Sequence, residues 1–407
     1  MTSESASPQD IPFREFVALM AMLLSLTALS IDAVLPALPA MARDLHVVND
    51  NHVQFVIGGL FLGFTLGQIV TGPLSDSFGR KPVIYGGIGV FVLGCLMCIF
   101  ATTFPMLLAG RILQGFGASA PRIVSLAMTR DLYEGEHMAR VMSFVMAVFI
   151  FVPAIAPAMG QAVMLVAGWR FIFIGFVAMA AVTVTWMGLR LPETLAVANR
   201  RPYSLRSILR GLSEVFCHRV TFAYTFCSGM IFSAMVGYLT TAQQIFQEYY
   251  QVGERFPVYF AVSALSIGLA SAVNSKLVRR FGMRAICHYA LLAMVLLAAG
   301  FILLSLGFSR HVPLWAFMVY VPCTFFCLGL LFGNLNAIAM EPMGHLAGIA
   351  AAVIGCLSSA ISVVLGSYIG QSYNGTLYPL TFGFFILTLL AFAAQAWINR
   401  PHRGLTS

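Results

Sequence analysis

Long apolar runs broken by short polar stretches set the pattern of this chain. About twenty apolar residues in a helix, at about 1.5 Å each, cross the hydrocarbon core of a bilayer. Runs of that size predict helices over residues 16–38, 53–74, 82–100, 105–128, 138–163 and 169–189, and again over 219–242, 256–273, 285–307, 312–339, 345–369 and 378–398. Between the sixth and seventh, residues 191–218 carry Arg200, Arg201, Pro202, Arg206 and Arg210 among few apolar residues, which reads as a linker on one side of the membrane. Within it, residues 204–215 can form a partly amphipathic helix on the membrane surface. Strand-sized alternation is absent, so a barrel is not expected. The expectation is an all-α integral membrane protein of twelve transmembrane helices in two six-helix bundles, residues 1–190 and 219–407, joined by the linker 191–218.

Composition sharpens this. Of 407 residues 59% are hydrophobic and 9% charged, with a mean hydropathy of +0.88, whereas soluble domains carry about 25% charged residues. The net charge of +8 raises the question of a nucleic-acid partner, but the positions of the cations answer it. Seventeen Lys and Arg fall in alternate loops and the tails, only Arg43, Arg170, Arg255 and Arg310 on the other side, and Arg111 and Arg122 inside a span. The positive-inside rule then puts both termini in the cytoplasm, and no nucleic acid is expected. The segment before Ala40-Met41-Ala42 is too long for a signal peptide and carries Asp32, so the first helix is read as uncleaved. The chain is thus expected in the cell membrane as a multi-pass protein, the inner membrane in a Gram-negative cell.

Most of the eight cysteines lie inside apolar runs, and the pairs Cys95 with Cys98 and Cys323 with Cys327 have no His or carboxylate company. They read as small apolar residues, and neither a metal nor another cofactor is expected. No H-E-x-x-H, G-x-S-x-G or P-loop spacing occurs, so the chain is not read as an enzyme.

Ionised side chains inside a bilayer cost a few kcal/mol or more, so each needs a reason. Three stand out: Asp32, Arg111 and Arg122. Asp32 lies about 24 Å along the first helix and Arg111 about 9 Å down the fourth from the opposite side, at comparable depth. The two can be partners or share a wet site, with Gln114 on the same helix face as Arg111. Asp32 can also be a turn residue ahead of Pro36 and Pro39, and Arg111 can snorkel outward. Arg122, nearer the cytoplasmic end, reads better as a snorkelling or structural cation.

A polar knot follows the second helix: Gly72-Pro73-Leu74-Ser75-Asp76-Ser77-Phe78-Gly79-Arg80-Lys81-Pro82. About seven residues are left there for the chain to turn around, which calls for glycine. The stretch resembles the G-x-L-x-D-R-x-G-R-K/R loop of the major facilitator superfamily, with Ser77 where that pattern has a cation. Gly72, Asp76, Gly79, Arg80, Lys81 and, after the fourth helix, Asp131 are then expected to form a gating charge relay; the plain alternative is a basic turn. Shifting the chain on itself by 203 residues brings Leu74, Phe78 and Gly79 onto Leu277, Phe281 and Gly282, a faint sign of a duplicated six-helix unit.

The likeness extends further. Asp32-Ala33-Val34-Leu35-Pro36-Ala37-Leu38-Pro39 resembles the D-x-x-L-P-x-L-P signature of drug:proton antiporters, and Arg111-Ile112-Leu113-Gln114-Gly115-Phe116-Gly117-Ala118 is similar to their R-x-x-Q-G-x-G-A motif. The run from Ala337 to Gly348 looks like the Bcr/CflA, or bicyclomycin-resistance, subfamily. Val152 to Gln161, with Pro153, Pro157 and Gly160, resembles the antiporter motif G-x-x-x-G-P-x-x-G-G, although Val152, Ala156 and Gln161 replace glycines; a kinked packing helix explains it equally. The resemblance implies the major facilitator fold, proton coupling and substrate binding at Asp32, Arg111 and Gln114, and export of small amphipathic, drug-like compounds in exchange for protons by a monomer working through alternating access. Its alternative on the same fold is a proton-coupled importer of a small nutrient.

Overall fold

Backbone N–H and C=O groups find no water in hydrocarbon, so a chain this apolar satisfies them within helices. The computed structural model describes residues 11–200, 205–308 and 311–398; of 136, 139, 143, 146–150, 205–209 and 345–347 it describes the backbone alone. Among the described residues there is no strand. The helices are α1 (Phe13–Asp32), α2 (Leu38–Asp44), α3 (Phe55–Phe78), α4 (Arg80–Ile99), α5 (Phe104–Leu132), α6 (Gly135–Val166) and α7 (Arg170–Arg190). They continue with α8 (Leu205–Cys217), α9 (Arg219–Gln244), α10 (Phe256–Phe281), α11 (Met283–Gly307), α12 (Leu314–Met340), α13 (Ala347–Gln371) and α14 (Tyr378–Ile398). Among the described residues ten helices are long and apolar enough to cross a membrane. The other two predicted spans are α5, 29 residues long with Arg111, Gln114 and Arg122 inside it, and α6, 32 residues long with an apolar stretch at Phe151–Val166.

The chain divides into two compact units, Met1–Ser204 and Leu205–Ser407. In the first, α5 packs along both α3 and α4. Its contact with α3 is backbone on backbone: a Cβ at Gly63 would lie 1.8 Å from the Ile112 carbonyl oxygen and one at Gly115 1.9 Å from that of Leu60. Such small-residue seams hold membrane helices together where lipid removes the hydrophobic drive. Helix α1 runs antiparallel to α5, the Thr27 hydroxyl donating to the Ala118 carbonyl at 3.0 Å. Helix α7 is tied to α1 by Trp186 and Arg190, which donate to the Glu15 carboxylate at 2.7 to 3.0 Å. In the second unit α9 packs on α12, α13 and α14, and α8 lies on α13, with Gly211 against the Ile349 side chain. Arg201 and Pro202 lie outside the described residues.

Among the boundaries that differ from the sequence expectation, three do so for a clear local reason. Helix α1 stops at Asp32 rather than at 38, and a single tight turn, Leu35–Ala37, leads into α2. Pro36 has no N–H to give the carbonyl four residues back, and its ring crowds that carbonyl, which favours a break here. Helix α3 continues to Phe78 and α4 begins at Arg80, so the expected seven-residue loop shrinks to Gly79 alone, at φ 106°. Only glycine takes that conformation without penalty. The same device joins α10 to α11, where Gly282 has φ 78° between Phe281 and Met283. Helix α10 also runs on to Phe281, beyond the expected end at 273, with Arg279 and Arg280 in its last turn, where cations suit the helix dipole.

Candidate functional site

Arg111 is fully buried in the first unit and each edge of its guanidinium is held. Nε donates to the Val56 carbonyl of α3 at 3.0 Å, Nη2 to the Ser30 carbonyl of α1 at 3.0 Å, and Nη1 to Gln114 Oε1 one turn along α5 at 2.6 Å. Gln114 is fixed in turn, its Nε2 lying 3.2 Å from Cys95 Sγ on α4, and the Phe173 ring of α7 sits 5.8 Å from the guanidinium carbon. Four neighbouring helices therefore determine where this charge sits. All three oxygens that receive its protons are neutral.

Asp32 is the last residue of α1, two positions beyond Ser30, and only 5% exposed. The sequence left open whether it pairs with Arg111. Among the described residues it makes neither an ion pair nor a hydrogen bond, and the arginine is satisfied by the Ser30 backbone instead. The carboxylate and the guanidinium are thus brought to adjoining turns without touching.

Gly160 of α6 is the third member of this cluster. A Cβ there would lie 1.9 Å from the carbonyl oxygen of Ala33, the residue next to Asp32. The glycine lets α6 press directly on the backbone that carries the acid. Helix α6 passes unbroken through Pro153 and Pro157, the latter buried. Phe144 and Phe151 of the same helix face outward, 51% and 55% exposed.

At the other end of the unit Arg80 has the opposite surroundings. Its Nη1 meets Asp76 Oδ1 at 2.5 Å and Ser75 Oγ at 2.9 Å, while Nε and Nη2 fork onto Asp131 at 2.8 and 3.4 Å. One cation thereby ties the ends of α3, α4 and α5 through two carboxylates. Ser77, in the place of the family's cation, donates to the Pro73 carbonyl of its own helix at 3.0 Å and takes no part. Gly72 lies within α3 with nothing within 4 Å of where a Cβ would stand, so its membership of the loop motif has no steric counterpart. Arg122 lies over the Phe64 ring at 5.2 Å.

Sequence reasoning missed Glu193. Its carboxylate accepts from the backbone N–H groups of Arg80 and Lys81 at 2.9 and 3.0 Å, while the Lys81 ammonium donates to the Leu191 carbonyl. The first turn of a helix exposes such N–H groups, and Gly79 has no side chain to cap them. The segment after α7 supplies the cap from more than a hundred residues away. Thr194 beside it donates to Asp131 at 3.1 Å, so this short strap closes over the whole charge cluster. The one available signal was an acid standing alone at the head of an arginine-rich linker.

The chain is similar to known proteins over most of its length. A family model described as Major Facilitator Superfamily matches residues 20–367. The chain is 28% identical over 401 residues to the Bicyclomycin resistance protein homolog of Haemophilus influenzae, covering 96% of this chain and 98% of that one. It is 27% identical over 343 residues to Multidrug resistance protein D of Escherichia coli, covering 82% of each. Among solved structures, the xylose transporter XylE from E. coli superposes with a TM-score of 0.71 at 13% identity, over 97% of this chain and 99% of that one, a likeness of fold.

Proposed function

This chain belongs to the Major Facilitator Superfamily, a family of transporters, and on that premise we propose that it exports small amphipathic, drug-like compounds out of the cell in exchange for protons. It is a multi-pass protein of the cell membrane. The observation that carries the proposal is the state of Asp32: a buried carboxylate with no donor among the described residues, held in the turn next to a clamped cation. A bare ionised acid is costly in a membrane. Asp32 therefore accepts one of two occupants, a proton or the cationic part of a cargo, and the two exclude each other at one site. That exclusion is the coupling. Arg111 has no freedom to swing toward the acid, because leaving its place would strand the Ser30 and Val56 carbonyls and the Gln114 amide.

Asp32 and Arg111 are both buried in the first unit, at 5% and 0% exposure. The names of the relatives favour export of drugs. Fold alone does not set direction, since the XylE fold serves a xylose transporter. Purified protein in proteoliposomes under an imposed pH gradient tests the proposal: a lipophilic cation should move against the proton flow, and Asp32→Asn should stop it. Movement of cargo with the protons would instead identify an importer.

A further inference from the structure

A second buried polar side chain lies at the level of Asp32 in the first unit, and the sequence motifs give no hint of it. Gln54 precedes α3 and is 1% exposed, yet among the described residues neither its Oε1 nor its Nε2 makes a hydrogen bond. Buried amides are normally satisfied, so one with both ends free needs an explanation.

Its place relative to Asp32 follows from the helix directions. Arg111 clamps Ser30 of α1 and Val56 of α3 through one guanidinium, so those two carbonyls lie side by side. Helix α3 runs parallel to α5, since Gly59, Gly63 and Gly67 meet Leu108 to Ile112, Ile112 to Phe116 and Phe116 to Ser119 in turn. Helix α1 runs the other way, with Thr27 at Ala118 and Ser30 at Arg111. Two residues beyond Ser30 and two residues before Val56 therefore lie on the same side of the guanidinium. Those residues are Asp32 and Gln54.

We propose that Gln54 reads the cargo: its amide supplies a hydrogen bond to a neutral polar group, such as a carboxamide, carbonyl or hydroxyl, on a compound whose cationic part Asp32 takes. The inference rests on the exporter reading and adds a class to it, amphipathic cations bearing a hydrogen-bonding substituent. An amide serves this task because it both donates and accepts and carries no charge to compete with the proton at Asp32.

The test uses two probes of nearly equal size, tetraphenylphosphonium, which has no hydrogen-bonding group, and its mono-carboxamide derivative, with the full chain in proteoliposomes under a pH gradient. Wild type should show a KM for the carboxamide about tenfold below that for the parent ion. Gln54→Leu should abolish that preference and leave the parent ion within about twofold of wild type. The same variant should melt at an equal or higher temperature, because an unpartnered polar group has been replaced by an apolar one. A preference that survives in Gln54→Leu, or its absence from wild type while both ions move, overturns the inference and leaves export standing. A lowered melting temperature with both probes equally impaired shows a structural amide and also overturns it. If wild type moves neither ion, the exporter reading fails and the inference fails with it.

Discussion

Two buried arginines in the same unit have opposite surroundings. Arg80 is matched by two carboxylates, Asp76 and Asp131, and closed over by a third acid, Glu193, that caps its helix. Arg111 has no carboxylate among its bonds, only two carbonyls and an amide, although an acid stands in the next turn. A cation whose charge is already neutralised can fasten helices together and be released when they part. One held by neutral groups keeps its field, and that field acts on whatever occupies Asp32. On the proposed reading the first arrangement suits a latch and the second a binding site.

Removing the free acid should have the largest effect. Asp32→Asn keeps shape and hydrogen-bonding capacity, and is expected to reduce gradient-driven transport to the level of empty vesicles while yield and size-exclusion profile stay those of wild type. Wild-type rates in this variant would break the comparison at its functional end. Next comes Arg111→Lys, which retains charge but cannot reach three separate acceptors as a planar fork does. Transport should fall at least about tenfold, and unfolding should become easier by about 1–3 kcal/mol as buried carbonyls lose their donor.

At the latch, Arg80→Ala should slow turnover several-fold while equilibrium binding of a lipophilic cation changes little; an equal loss of binding would show that this end is no gate. Gly160→Ala probes the backbone seam beside Asp32 and should cost about 1–3 kcal/mol of stability by overpacking. Gly86→Ala, where nothing lies within 4 Å of the added methyl, is its control and should stay within about 0.5 kcal/mol. Glu193→Gln keeps one acceptor oxygen for the α4 N-terminus but sets an amide nitrogen against the second N–H and removes the charge, and should cost about 1–3 kcal/mol. Thermal unfolding in detergent measures the last three.

Much of this was legible in the chain. The helices fall close to where the apolar runs put them, because crossing hydrocarbon imposes a minimum length and leaves the backbone no other choice. The offset of 203 residues set Gly79 against Gly282, and both stand at positive φ between consecutive helices, although a turn of about seven residues was expected at the first. Asp76, Arg80 and Asp131 were expected together and are together. What could not be read was which groups satisfy one another. Nothing in the sequence distinguishes an Arg111 paired with Asp32 from one clamped to Ser30 and Val56, or shows that Glu193 reaches back to Arg80.

The sequence by itself determined the membrane class, the spans and the few charged residues that need a reason for lying within them, because those follow from how much apolar chain must cover a fixed thickness. Tertiary structure alone decided the partners. The strength of a charge interaction depends on separation and local dielectric, and both are set by how α1, α3, α5 and α6 pack, down to the one glycine that lets α6 rest on Ala33.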